Sequence, residues 1–177
     1  MLVWPQKNAL ILKSRAPEKI LNVIPKAKHF TIKGHSVVAV PHRTEETTLL
    51  RNLGYDAPAP IRSYYSWPGR FTPFHAQREA AAFLSMNRRA FNLSELGTGK
   101  SLASLWAYDY LRGIGQMNKC LVISPLSTLE RTWADEIFQH FPHLTYTVLH
   151  GSKDKRVKLL KEDFDVYIIN HDGVGII

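Results

Sequence analysis

The octapeptide Ser94-Glu95-Leu96-Gly97-Thr98-Gly99-Lys100-Ser101 constrains the fold of this chain more than any other segment. An apolar stretch, Arg89–Leu93, leads into it and a helical pattern over 101–113 leads out, so the bend reads as a strand-to-helix junction. Gly97 and Gly99 let the backbone turn sharply and aim its N–H groups at a phosphate chain. Thr98 lies between them. The helix adds its positive end and its free donors. Lys100 is placed to reach the β- and γ-phosphates of a nucleotide, and the Ser101 hydroxyl to hold Mg²⁺. A plain glycine turn would not require lysine and serine at these two positions. Ser94 stands where the full phosphate-loop pattern has glycine, which weakens a match to kinases or GTPases.

From residue 74 onward helices alternate with short apolar strands. The expected helices are 74–87, 101–113, 127–140 and 153–162. The expected strands are Arg89–Leu93, Cys120–Ser124, Tyr146–His150 and Val166–Asn170. Strands separated by helices of this length form βαβ units, so the fold class is α/β with a parallel sheet covered on both faces.

The first seventy residues differ. They carry eleven Lys/Arg against four Asp/Glu, whereas residues 71–177 are close to neutral. That split suits a polyanion-facing module attached to a neutral domain, although a basic surface kept for solubility would look the same. Residues 1–54 read as a small basic β-α-β-β-α module. Its parts are strand Ala9–Lys13, a helix opened by Pro17 and ended by Pro25, a hairpin around Gly34, and a helix capped by Thr44 and stopped by Gly54. Residues 55–73, with four prolines, read as a linker. Its Tyr64, Tyr65 and Trp67 suit docking onto a neighbour better than stacking on bases.

Composition excludes several classes. One cysteine, Cys120, allows neither an internal disulfide nor a multi-thiolate metal site. No run of ~18–20 apolar residues is present to span a bilayer, and no basic region precedes an apolar stretch at the N-terminus. The expectation is a soluble intracellular protein, monomeric and without a membrane partner.

Together with their neighbours these segments resemble superfamily-two helicases, specifically the Swi/Snf remodeller-like branch with its bacterial and phage relatives, and the fold implied is RecA-like. SELGTGKS is similar to that branch's DEMGLGKT. PFHAQREAAAFL resembles the Q motif, so Gln77 is implied to read the adenine of ATP with an amide that donates and accepts at once. LVISPLSTLERTWADEI resembles motif Ia, matching at Pro125, Leu126, Ser127, Leu129 and Trp133. DVYIINHDGV resembles the motif Ib region, with Asn170, His171 and Asp172 in place of Thr-Tyr-Glu. The resemblance implies a DNA-dependent ATPase using ATP and Mg²⁺. Residues 97–101 would hold the triphosphate, and Pro125, Leu126, Ser127, Thr128, Asn170 and His171 would meet the DNA backbone. The N-terminal module is similar in topology to the accessory domain ahead of the motor in annealing-type helicases.

Ser127 or Thr128 also suits a helix cap, which is compatible with phosphate contact. Trp133 and Phe138 are expected in the core, and His140 and His143 on the surface. In this family hydrolysis uses an Asp-Glu pair at the end of a later strand. No such pair follows residue 136, and Asp135-Glu136 falls within a helix. Residues 74–177 are therefore expected to form the front part of a motor lobe, with weak or no ATPase activity in isolation. Two other function classes remain open: a non-catalytic nucleic-acid-binding protein that keeps the fold, and an unrelated phosphate-loop enzyme such as a kinase.

Overall fold

The computed structural model describes residues 1–176, which divide into two compact units. The first comprises Met1–Tyr65 and Ala82–Ala90; the second comprises Ser66–Ala81 and the chain from Phe91 onward.

In the first unit β1 (Leu2–Trp4), β2 (Ala9–Lys13), β3 (Lys28–Ile32) and β4 (His35–Pro41) form an antiparallel sheet in the order β1-β2-β4-β3. Two helices join it, α1 (Pro17–Val23) and α2 (Thr44–Asn52). Pro17 sits in the first turn of α1, where its missing N–H costs nothing. Lys33 and Gly34, with φ of 49° and 76°, make the two-residue turn that matches strand twist between β3 and β4. Thr44, expected as a cap, is instead the first helical residue of α2; the capping position falls on Arg43, whose side chain makes no cap bond. Gly54, at φ 86°, closes the helix as anticipated.

Leu10, Leu12, Val38 and Val40 from the sheet meet Ile20, Ile24 and Leu50 from the helices in one core. Each such burial stabilises the unit by about 1.5–3 kcal/mol. Strand β1 was not anticipated. Three residues are too few to show a period, and only their pairing with Ala9–Ile11 defines them.

Residues 55–65 pack within this unit: Ala57, Ala59 and Ile61 are buried, and Ile61–Tyr64 form one helical turn, α3. The buried His42 fastens them, since its Nε2 donates to the Pro58 carbonyl at 2.8 Å. Nδ1 is then free to accept from the Tyr64 hydroxyl at 2.9 Å. Burial holds the His42 pKa below its ordinary value, with the Pro58 bond opposing, so the ring stays neutral in this arrangement.

Helix α4 (His75–Met86) contributes to both units. The second unit also contains α5 (Lys100–Gly113), β5 (Cys120–Ser124), α6 (Asp135–His140), β6 (Tyr146–Val148), α7 (Lys153–Leu160) and β7 (Val166–Asn170). The three strands are parallel in the order β5-β7-β6. Every residue of the central β7 is buried, as a strand covered on both faces requires. Tyr167 and Ile169 face Leu159 and Leu160 of α7, while the helical run before α6 packs against β6 and β7. That run, expected as one helix, is a 3₁₀ turn (Leu126–Thr128) and a π-helical stretch (Leu129–Ala134) leading into α6.

Arg89–Leu93, expected as a strand, is not one. Phe91, Leu93 and Leu96 are 87, 90 and 96% exposed, and no described strand pairs with the segment. An apolar sequence becomes a strand only when a neighbour satisfies its N–H and C=O groups. Two further expectations fail. Phe138 is 73% exposed on α6 rather than in the core. His140 is buried, at 3% exposure, and accepts from the Arg70 N–H through Nδ1 at 3.2 Å. Burial lowers its pKa, and the Arg70 charge lowers it further. His143, half-exposed, pairs with Asp109 at 2.7 Å. No metal-binding cluster exists among the described residues.

Asp165, just ahead of β7, ties the second unit together. Its carboxylate meets Arg112 of α5 at 2.5 Å and accepts from the Thr145 N–H and hydroxyl at 2.8 and 3.0 Å. Burial alone would raise its pKa, but the Thr145 and Arg112 bonds outweigh it and hold the group below 3.8. A depressed carboxylate contributes stability that is complete above 3.8 and lost as pH falls through its folded value. Asp165→Ala should therefore cost about 2 kcal/mol at pH 7, read by urea unfolding. The gap to the parent should close on acidification below 3.8; a gap that persists there would contradict this assignment.

Candidate functional site: the glycine bend and the strand ends

The bend before α5 adopts the shape its sequence implies. Gly97 and Gly99 have φ of 78° and 77°, a region L side chains rarely enter. Gly99 occupies the capping position of α5, a 14-residue helix. Asn92 braces the entry, its Oδ1 accepting from the Ser94 N–H at 3.2 Å and the Ser94 hydroxyl at 2.6 Å. The Thr98 hydroxyl donates to the Glu95 carbonyl at 2.8 Å. Lys100 folds back over the bend, donating to the Ser94 and Glu95 carbonyls at 2.7 Å each. Ser101 follows in the first turn, half-buried.

Gln77 of α4 is adjacent to the bend. Its Oε1 accepts from the Phe74 N–H at 2.9 Å, and its Nε2 lies 3.4 Å from the Thr98 carbonyl. A Cβ at residue 99 would displace the Gln77 amide from the bend, while the φ of 77° is what favours glycine there. Gln77, Gly97, Thr98, Gly99 and Lys100 thus come together although twenty residues separate the first two.

A second group gathers at the carboxyl ends of the parallel strands. The register sets Ser124, the last residue of β5, opposite Asn170, the last of β7. Pro125, Leu126 and Ser127 leave β5 exposed, and His171 leaves β7 exposed. Thr128 is tied down: its hydroxyl donates to the Pro125 carbonyl at 2.9 Å and lies 3.2 Å from the Ser124 hydroxyl. Asn170 is buried, with its Oδ1 lacking a hydrogen-bond partner. Carboxyl ends of parallel strands are where α/β sheets ordinarily bind ligands. Sequence reasoning missed Asn92, whose place two residues before Ser94 is an Asx-turn signal. It also had no means of seeing that Asn170 is enclosed. Cys120 is no nucleophile, because burial pushes its thiol up to about 11.

The parallel sheet with helices on both faces is the fold of the SWI2/SNF2 ATPase core. The Sulfolobus solfataricus SWI2/SNF2 ATPase core in complex with dsDNA superposes with a TM-score of 0.52 at 24% identity, over 60% of this chain and 23% of that one. The chain belongs to the SNF2-related family: the SNF2-related domain model matches residues 77–175. Among its relatives are the ISWI chromatin-remodeling complex ATPase ISW2 of Saccharomyces cerevisiae, 36% identical over 86 residues, and the ATP-dependent DNA helicase DDM1 of Arabidopsis thaliana, 34% identical over 68. The matches cover 45% and 38% of this chain but only 8% and 9% of those proteins. No helix among the described residues is long and apolar enough to cross a membrane.

Proposed function

We propose that this chain binds Mg²⁺–ATP at the glycine bend and contacts a DNA backbone at the ends of β5 and β7, as part of a DNA-dependent ATPase. The nearness of Gln77 to the bend is the observation that carries the reading. It puts a group able to donate to and accept from adenine beside backbone donors for the triphosphate. Residues 97–101 cradle the phosphates. Lys100 would exchange its two carbonyl contacts for phosphate oxygens, and the Ser101 hydroxyl would hold Mg²⁺, which would supply positive charge to offset that of the phosphates.

Pro125, Leu126, Ser127 and His171 meet the DNA backbone, with Thr128 half-buried and Asn170 buried beside them at the strand ends. The exposure of 125–127 and 171 supports this role. Ser124, Val148 and Asn170 close the three parallel strands, so no carboxylate among the described residues ends a strand to align water. Turnover by the 177-residue chain is therefore expected to be weak.

The test is purine discrimination. Equilibrium titration should show Mg²⁺–ATP bound in preference to Mg²⁺–GTP, and Gln77→Ala should erase about tenfold of that preference, the worth of one well-made polar contact. An unchanged ATP/GTP ratio in the variant would remove Gln77 from the site.

A further inference from the structure

Helices α1 and α2 cover one face of the first unit's sheet; on the other, the central Val37 is buried while the edge-strand residues are exposed. Val3, Leu10, Leu12, Val38 and Val40 join the core with α1 and α2. Alternation along the strands sends their neighbours to the opposite face. The register lines these up in rows: Leu2, Ile11, Ala39 and Lys28 in one, Lys13, Val37 and Phe30 in the next. Trp4 and Ile32 occupy the outer rows on either side. Leu2, Trp4, Phe30 and Ile32 are 65, 46, 46 and 53% exposed.

An antiparallel sheet that faces water is ordinarily polar on that side. Here the only polar residues are Lys13, Lys28 and His35, and the paired positions of this face include no Asp, Glu, Ser, Thr, Asn or Gln. Residues 1–42 hold seven Lys/Arg against one acid, Glu18. The matching ligand is a chain with a repeating negative charge and flat apolar groups open to contact. A duplex hides its bases in the stack. A second copy of this chain would bring the same positive surplus and repel.

We propose that this open face binds single-stranded DNA, with bases stacked on Trp4 and Phe30 and phosphates met by Lys13 and Lys28. The two aromatics lie on opposite edge strands, three strand spacings and two rows apart, about 20 Å, so several nucleotides bridge them. With no hydroxyl, amide or carboxylate to read a base edge or a 2′-hydroxyl, binding is tolerant of sequence and gains nothing from RNA. The inference rests on DNA as the partner in the proposed function and adds which strand state this unit takes, and how.

The test is fluorescence anisotropy of the full 177-residue chain with labelled oligo(dT), an abasic strand of equal length, a duplex and oligo(rU). Oligo(dT) should bind more tightly than the abasic strand and the duplex, and at least as tightly as oligo(rU). Trp4→Ala with Phe30→Ala should weaken oligo(dT) binding about a hundredfold, about tenfold per stacked base, with the salt slope and the abasic affinity unchanged. Trp4→Phe with Phe30→Tyr should restore most of it, which excludes misfolding as the cause. Lys13→Ala with Lys28→Ala should instead flatten the salt slope by about 1.4.

Several results would overturn the proposal. They are an aromatic-free variant that binds oligo(dT) like the parent, equal parental affinity for abasic strand and oligo(dT), tighter binding of oligo(rU), or a parental dimer that the aromatic substitutions dissociate. If the lysine effects survive while the aromatic ones vanish, stacking fails but DNA as partner stands. If the parent binds no nucleic acid, the wider reading fails with it.

Discussion

Lys100→Ala should lower affinity for Mg²⁺–ATP at least about a hundredfold while leaving the unfolding midpoint where it was. Among the described residues the lysine ammonium bonds to the Ser94 and Glu95 carbonyls of an exposed bend, so the fold loses little with the side chain. The bound state loses far more. An ammonium bridging two phosphates makes two charge-assisted hydrogen bonds of about 1.5–3 kcal/mol each, so at least about 3 kcal/mol goes with it. Lys100→Arg should not restore binding, because a planar fork does not replace a compact point charge in a space framed by two glycines. Titration with a fluorescent ATP analogue beside a urea melt separates the two effects. A variant that binds normally, or that unfolds early, would show that Lys100 serves the fold rather than the ligand.

Trp106→Ala should be the most damaging substitution for the fold. Trp106 lies on α5, fully buried, with its indole N–H donated to the Pro68 carbonyl at 2.8 Å. Its ring meets Trp67 and Phe141 edge-on, with centroids 5.9 and 6.4 Å apart. Truncation opens a cavity and strands a carbonyl, a loss of about 4 kcal/mol. Natural domains are stable by only about 5–15 kcal/mol. The second unit should melt about 15 °C lower by near-ultraviolet circular dichroism. Nucleotide affinity should fall with it, since α5 carries the bend at its N-terminus. A melt unchanged within 3–4 °C, about 1 kcal/mol, would mean that the indole is not part of the core.

What could be read in the sequence was what the chain decides locally. Pro17, Gly34 and Gly54 each set a backbone angle by their own chemistry, and the elements they bound lie where expected. The strands Cys120–Ser124 and Val166–Asn170 were legible as short continuous apolar runs, although only the second is buried on both faces; Leu121 and Ile123 of the first are 50 and 45% exposed. What depends on distant partners was not. Arg89–Leu93 has the composition of a strand but no described strand beside it. His140 sits where a surface helix residue would, yet Arg70 and Phe71 enclose it, seventy residues earlier in the chain.

The candidate site divides the same way. The glycine bend is a local device and announces itself in eight residues. Gln77 entered only through family resemblance, because nothing in its own neighbourhood reveals that α4 brings it to Thr98. The juxtaposition of Ser124 and Asn170 is a matter of parallel register, which no single segment encodes.

The central claim is that the backbone from Ser94 to Ser101 encloses the phosphates of ATP. Amide spectra of the ¹⁵N-labelled chain, recorded while Mg²⁺ and a non-hydrolysable ATP analogue are added, test it residue by residue. The largest shifts should fall on Gly97, Thr98, Gly99, Lys100 and Ser101, joined by the Gln77 side-chain amide, and should disappear in Lys100→Ala. Shifts confined to other parts of the chain, or none at millimolar analogue, would contradict the account.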